Sequence, residues 1–127
     1  MLPRAILFDM DDTLISAYAQ PEKAWHAIAH EFAEALHPLP PLTVAEAVNR
    51  VSDAFWSDPE RHRWGRLQLV DARASIVAEA FGALTQAGHA TPDPTLTHLM
   101  SARYGTYREE NMFLFDGAHD VVDWFRA

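Results

Sequence analysis

Cysteine is absent from the sequence, and its absence excludes disulfide bonds, zinc–thiolate sites, iron–sulfur clusters and thiol nucleophiles. Basic residues are scarce: 10 lysines and arginines stand against 18 acidic residues, which gives a formal net charge of −8. Nucleic-acid-binding proteins carry basic surfaces, so this balance argues against a nucleic-acid partner. No apolar run approaches the ~20 residues of a membrane span, and the N-terminus has no signal-peptide pattern. We therefore expect a cytoplasmic protein without a membrane partner.

The residues that are present fit a folded domain. A chain of 127 residues is long enough for one domain with a core of its own. Hydrophobic residues make up 49% and charged residues 22% of the chain, as in ordinary globular proteins. This composition excludes a disordered tail and a coiled coil.

The pattern predicts one strand followed by helices. Residues 5–8 form a short apolar run that ends at acidic residues, which is typical of a strand covered on both faces in a parallel α/β sheet. A first helix is predicted over residues 21–36, and the prolines of 37–41 end it. Thr43 and Glu46 form a capping box that opens a second helix.

Three further helices are predicted after the second, which ends at residues 58–59. The third carries apolar residues from Val70 to Leu84 and stops near Gly88. A fourth opens at residues 93–94, and a last one begins at Ala118. A lone strand cannot satisfy its backbone hydrogen-bonding groups. The pattern therefore indicates the first βα unit of a parallel sheet with a helical insertion, and we expect the other strands beyond residue 127.

Three of the four residues at positions 9–12 are acidic: Asp9, Asp11 and Asp12. They directly follow the predicted strand, at the edge of an open α/β sheet where ligands bind. Carboxylates this close repel one another unless a cation or strong hydrogen bonds hold them. Mg²⁺ is the natural cation, because it takes oxygen ligands from one or two carboxylates and a substrate phosphate.

The alternation of side chains along a strand places two of these carboxylates on the same face. If strand geometry continues past Phe8, Asp9 and Asp11 point the same way and Met10 points the opposite way. The two carboxylates then flank one substrate atom, so that one attacks as a nucleophile and the other transfers a proton.

Residues 8–14, Phe-Asp-Met-Asp-Asp-Thr-Leu, resemble the first signature motif, D-x-D-x-[TV], of the haloacid dehalogenase-like (HAD) hydrolase superfamily. The helical stretch that follows resembles the cap inserted at this point in phosphatase members, and residues 114–118 resemble the return to the core. The resemblance implies a truncated α/β fold with a Rossmannoid core: one N-terminal strand followed by a mostly α-helical cap bundle. It divides the chain into the first strand and nucleophile loop at 1–15, the cap domain at 16–111, and the return linker with the first core helix at 112–127.

The same resemblance implies a magnesium-dependent phosphomonoester hydrolase that acts on a small phosphorylated metabolite. Asp9 would be the nucleophile that forms an aspartyl-phosphate, and Asp11 would protonate the leaving alkoxide and then deprotonate water. The Asp9 carboxylate and the Asp11 backbone carbonyl would bind Mg²⁺. Met10, Asp12 and Thr13 would form the turn that receives the phosphate, and Thr13 would fix that turn beside the nucleophile. Dehalogenases of this superfamily lack the second aspartate, so Asp11 favours phosphate-ester chemistry.

The later motifs of the superfamily have no counterpart at the expected places. They supply a serine or threonine, a lysine or arginine, and further acids, whereas Lys23 lies in the first cap helix. Phosphoryl transfer depends on several such groups around the phosphate. We therefore expect residues 1–127 to be the N-terminal part of such a hydrolase and to be inactive alone. Either a C-terminal half is missing or the chain forms a dimer. The alternative is a non-catalytic helical interaction module, or a fragment of a decayed hydrolase gene.

The acidic cluster also has simpler interpretations. It could serve only as a helix N-cap or as a solvated turn, without a catalytic role. An EF-hand is excluded, because Leu14 and Gln20 stand where a glycine and a bidentate glutamate belong. A response-regulator pocket would require βαβ alternation after the cluster, and none follows.

The only locally positive stretch contains four arginines: Arg61, Arg63, Arg66 and Arg73. Arg66 and Arg73 are candidates for contacting an anionic substrate, and a solvated helix face is the alternative. Ser16 and Tyr18, at the entry to the helical stretch, are also candidates for substrate contact.

One pair of tryptophans and one pair of histidines are also candidates for a functional role. Trp56 and Trp64 could line a pocket, although core packing is the favoured interpretation. His26 and His30 lie one helical turn apart without an acidic third ligand, so we expect them at the surface.

Overall fold

A computed structural model describes residues 3–11, 13–16 and 20–126. Within these ranges the chain is mostly helical, with one small antiparallel sheet. The strands are β1 (Ile15–Ser16) and β2 (Phe113–Leu114). The helices are α1 (Pro21–Glu31), α2 (Ala33–Leu36), α3 (Pro41–Ser57), α4 (Pro59–Gly65), α5 (Leu69–Gln86), α6 (Leu96–Asn111) and α7 (Ala118–Arg126).

Helices α1, α3, α5 and α6 surround one apolar core. Helix α1 packs against α3 and α6, and α5 packs against α3 and α6. Each helix contributes an apolar stripe, as amphipathic periodicity requires. Trp25 of α1 also stacks on Tyr104 of α6, with ring centroids 4.3 Å apart. The largest fully buried side chains are Ile28, Leu36, Val44, Val48, Ile76, Val77 and Met100. The helical bundle predicted from the sequence is confirmed.

Several helix boundaries differ from the prediction. The helix predicted over 21–36 is interrupted at Phe32, whose φ is −94° and ψ is 12°. Helix α3 begins at Pro41, and no side chain caps it, so the predicted capping box at Thr43 is wrong. A proline at the first helical position has a preset φ and no amide to satisfy, which explains why α3 begins there.

Helix α4 was not predicted. It begins after Asp58, whose Oδ1 accepts hydrogen bonds from the amides of Glu60 (2.9 Å) and Arg61 (3.0 Å). This is an N-cap followed by a proline at the first helical position. Its seven residues are rich in charge and carry no apolar stripe, so hydrophobic periodicity gave no signal for it.

The predicted strand at residues 5–8 is not formed among the described residues. Ile6 is 42%, Leu7 97% and Phe8 37% exposed, and no neighbouring strand pairs with them. The reason is that a strand exists only through its ladder with a partner, and the described residues offer none at this place. Phe8 instead contacts Phe125 of α7, with ring centroids 5.7 Å apart.

The small sheet joins the two ends of the helical bundle. Strands β1 and β2 are antiparallel, with Ile15 opposite Leu114 and Ser16 opposite Phe113. The amide of Phe115 also donates to the carbonyl of Leu14 at 2.9 Å. The chain therefore enters and leaves the bundle at one place, close to the predicted boundaries at 15/16 and 111/112.

Helix α7 lies after this exit and buries little of its surface. Its Val121 is 45%, Trp124 73% and Phe125 47% exposed. The apolar face predicted for the last helix therefore remains largely uncovered. Within the described ranges, no helix combines the length and the apolar character needed to cross a membrane.

A bidentate ion pair links α1 to α6. The guanidinium of Arg103 donates to Glu31 at 2.7 and 3.0 Å, and it also donates to Glu110 at 3.2 Å. The hydrogen bonds from Arg103 hold the pKa of the Glu31 carboxyl below its ordinary value of 4.5. These contacts connect the last residue of α1 to α6.

We expect this pair to make the stability of the fold depend on pH. Because the folded-state pKa of Glu31 is depressed, its contribution is present above pH 4.5 and is lost as pH falls through the folded value. Urea unfolding from about pH 6 to about pH 3 should show that Glu31→Gln removes part of this loss. Glu46→Gln, an exposed position on α3, is the matched control. Equal pH profiles for the two variants would contradict the prediction.

Candidate functional site

The acidic segment at residues 9–11 leads into a tight turn. The carbonyl of Met10 accepts hydrogen bonds from the amides of Leu14 and Ile15, both at 3.0 Å, and a longer one from Thr13 at 3.4 Å. Three amides directed at one carbonyl reverse the chain within a few residues. The turn therefore places Asp9 and Asp11 immediately before β1, where the chain enters the helical bundle.

Asp9 is tied to this turn by its side chain. The hydroxyl of Thr13 donates to Oδ2 of Asp9 at 3.3 Å, and both residues are exposed. Thr13 thus contacts one oxygen of the candidate nucleophile, whose side chain is exposed. Asp9, Met10 and Thr13 are brought together, as the motif predicts, whereas Asp12 lies outside the described residues.

Asp11 lies beside the same turn. Its backbone forms an isolated bridge with Ile15 of β1, and its side chain is exposed. The strand alternation proposed for residues 9–11 remains a prediction, because the preceding segment forms no ladder in the described part of the chain. The carboxylates of Asp9 and Asp11 are separated by one residue and accessible from solvent.

The donor set at this turn fits Mg²⁺ as a shared site. In the described part of the chain, no three histidine or acidic side chains converge to hold a metal ion. Mg²⁺ is commonly bound by one or two carboxylates together with water and substrate phosphate, not by a closed protein cage. The Asp9 carboxylate and the Asp11 carbonyl supply oxygen ligands of that type.

A cleft opens beside the entry to the bundle; we call it the hinge cleft. It has a volume of about 310 Å³ and lies between β1, the start of α1 and the end of α6. Ser16, a predicted substrate contact, is buried and lines it together with Lys23, Arg108 and Asn111. Tyr18, the other predicted contact in this region, lies outside the described residues.

A second cleft lies among α1, α3, α4, α5 and α6; we call it the bundle cleft. Its volume is about 330 Å³, and both Arg66 and Arg73 line it, as does Trp56. Trp64 does not line it and is 45% exposed. Two of the four predicted arginines therefore reach a common concave surface. Trp56 packs against the core, as the favoured interpretation predicts, and it also lines this cleft.

Among the other residues singled out from the sequence, Arg61 and His30 have structural partners, whereas Arg63 is exposed. Arg61 pairs with Glu79 of α5 at 2.6 Å and lies 5.0 Å from the ring centre of Phe55, so it fastens α4 to its neighbours. The Nδ1 atom of His30 lies 2.8 Å from the carbonyl oxygen of His26, within the same helix. His30 is exposed, as predicted for the surface, whereas His26 is half-buried.

Sequence reasoning missed the polar face of α6. Tyr104, Tyr107, Arg108 and Asn111 all line the hinge cleft, and Tyr104 and Arg108 line the bundle cleft as well. These residues recur at intervals of three and four, which places them on one side of a helix. That periodicity was the available signal.

The two clefts adjoin, because Pro21, Tyr104 and Arg108 line both of them. The hinge cleft and the bundle cleft are therefore neighbours that share these three lining residues. None of the family models, curated proteins or solved structures compared with this chain matches it, so the functional argument rests on this geometry and on the motif.

Proposed function

We propose that the chain is the N-terminal part of a magnesium-dependent phosphomonoester hydrolase of the HAD type. The observation that supports this most directly is the turn at Asp9, in which Thr13 donates a hydrogen bond to one carboxylate oxygen of an exposed side chain. A nucleophilic carboxylate needs this combination of fixed position and access. Its place at the entry to a helical bundle agrees with a cap inserted directly after the nucleophile motif.

The proposed reaction has two displacement steps. An oxygen of Asp9 attacks the phosphorus atom and forms an aspartyl-phosphate, while Asp11 donates a proton to the leaving alkoxide. Asp11 then removes a proton from water, which attacks the phosphorus, releases inorganic phosphate and regenerates Asp9. Bound Mg²⁺ would neutralise charge on the phosphate oxygens.

The helical bundle takes the role of a cover over this turn. The paired strands β1 and β2 attach it to the catalytic segment through two adjacent connections. The hinge cleft, with Lys23 and Arg108 in its lining, opens at this attachment. In the proposed enzyme, a small phosphorylated metabolite is bound between these polar side chains and Asp9.

The proposal also requires residues 5–8 to become a strand. Their exposed apolar side chains need neighbouring strands on both sides, and the described residues do not supply these. In the proposed enzyme, a C-terminal half provides the strands together with the missing phosphate-binding groups. Residues 1–127 alone are therefore expected to lack activity.

Metal removal tests the proposal. We expect the complete gene product to hydrolyse p-nitrophenyl phosphate in Mg²⁺ and to lose this activity in EDTA, with recovery when Mg²⁺ is returned. Released phosphate provides the measurement, and a heat-denatured sample provides the control. A complete gene product that forms a stable dimer but hydrolyses no phosphomonoester would contradict the proposal and favour the interaction module.

A further inference from the structure

The bundle cleft gathers positive charge in a chain whose net charge is −8. Arg66 at the end of α4, Arg73 on α5 and Arg108 on α6 all line it. Against these three arginines stand two carboxylates, Glu22 on α1 and Asp53 on α3. The walls formed by α4, α5 and α6 are therefore basic, and the walls formed by α1 and α3 carry the acidic groups.

At least two of these arginines are placed to receive a ligand. Arg73 lies 5.2 Å from the ring centre of Tyr104, and its Nη1 approaches Gly105 so closely that an added Cβ there would lie 3.3 Å away. Its side chain is thus confined before any ligand arrives, which lowers the entropic cost of binding. Arg66 is exposed and forms no ion pair with any other residue in the described ranges.

The cleft also offers an apolar aromatic surface. Trp56 is partly buried and packs edge-on against Phe55, with ring centroids 5.0 Å apart. Trp56 lines the bundle cleft, as do the stacked rings of Trp25 and Tyr104. A small number of precisely placed charged groups beside aromatic side chains is typical of sites that bind a small molecule with a flat ring.

We propose that the bundle cleft binds a small anionic molecule that carries an aromatic or similarly flat ring. The phosphate or carboxylate group lies against Arg66 and Arg73, and the ring packs beside Trp56. Guanidinium groups bind both phosphate and carboxylate groups, because their planar arrangement of donors matches two acceptor oxygens. The lining contains neither Asp9 nor Asp11, so this binding does not depend on the proposed hydrolysis.

Calorimetric titration of the 127-residue chain with phenyl phosphate, in EDTA, tests the proposal. EDTA removes any contribution of a metal at Asp9. We expect saturable binding that is stronger than binding of inorganic phosphate, because phosphate lacks the ring, and that weakens as salt is added. Benzoate in place of phenyl phosphate distinguishes a carboxylate preference from a phosphate preference, and phenol reports the contribution of the ring alone.

Variants of two arginines locate the binding. Arg66→Gln is expected to weaken phenyl phosphate binding about tenfold or more, because it removes a charged donor from the anion. Arg63→Gln, an exposed arginine of the same helix that does not line the cleft, is the matched control and should leave the affinity unchanged. Gly105→Ala should also weaken binding, since the added methyl group crowds the Arg73 side chain.

Three outcomes would overturn the proposal. One is the absence of saturable binding of phenyl phosphate and of benzoate by the unaltered chain. Another is an equal loss in Arg63→Gln and Arg66→Gln, which would indicate unspecific attraction to surface charge. The third is an unchanged affinity of Arg66→Gln for phenyl phosphate. Because Arg66 is exposed, this variant should keep its fold, and circular dichroism verifies that it does.

Discussion

Asp9→Asn is expected to lower the proposed phosphatase activity of the complete gene product by about 10³-fold or more. The amide cannot attack phosphorus as a carboxylate does, and it cannot form the acyl phosphate. The size and shape of the side chain are kept, and the amide oxygen still accepts the hydrogen bond that Thr13 donates at 3.3 Å. The loss therefore reports on chemistry and not on the turn, and single-turnover release of phosphate measures it.

Two further variants make the Asp9 experiment decisive. Asp123→Asn, an exposed aspartate on α7, carries the same change of charge away from the turn and should keep the activity. Asp11→Asn should slow the release of poor alkoxide leaving groups more than that of p-nitrophenolate, because only the former need a proton from the enzyme. Wild-type turnover in Asp9→Asn would rule out Asp9 as the nucleophile.

Gly65→Ala is expected to destabilise the fold by about 1–3 kcal/mol through overpacking. Gly65 is buried at the end of α4, and a Cβ there would lie 2.7 Å from Cε1 of Phe55 and 3.0 Å from Cζ3 of Trp56. Both atoms belong to aromatic rings held in or against the core, so the rings or α4 must move. The midpoint of thermal unfolding should fall by roughly 4–12 °C.

Gly82 is the matched control for this substitution. It lies within α5, is exposed, and has no heavy atom within 4 Å of an added Cβ. Gly82→Ala should stabilise the fold by about 0.5–1 kcal/mol, because alanine loses less backbone entropy in a helix. Opposite signs are therefore expected in parallel melts, and a stabilising Gly65→Ala would mean that α4 does not pack on Phe55 and Trp56 as described.

The bundle was predictable from the sequence because its determinants are local. Val77, Phe81 and Leu84 of α5 recur at helical spacing and are buried, as predicted. The same reasoning failed for Val70, which is 72% exposed. It lies in the first turn of α5, where the helix has not yet reached the core. Periodicity identifies a face, but it does not show how far along the helix that face is covered.

The predicted strand failed for a different reason. The apolar run at residues 5–8 has a strong strand preference, yet the hydrogen bonds of a strand are formed with another segment. Strands β1 and β2 show the converse: two residues each, without a clear pattern, are paired because the helices bring their positions together. Strand formation here depends on partners that local sequence does not specify.

The two candidate sites also differ in how far local sequence predicts them. The contact between Asp9 and Thr13 spans four residues and was anticipated by the motif. The bundle cleft assembles Arg66, Arg73 and Arg108 from three helices. The first two were singled out because they lie close together in the chain, but Arg108 was not. Only the packing of α5 against α6 shows that these side chains share a surface.

The antiparallel pairing of Ile15–Ser16 with Phe113–Leu114 makes the bundle a modular insert. Since its two ends are neighbours in space, the whole bundle can be exchanged for another of different shape, or replaced by a short loop, without changing the distance that the flanking segments must span. A change of helices between the paired strands would therefore leave the attachment beside the Asp9 turn as it is.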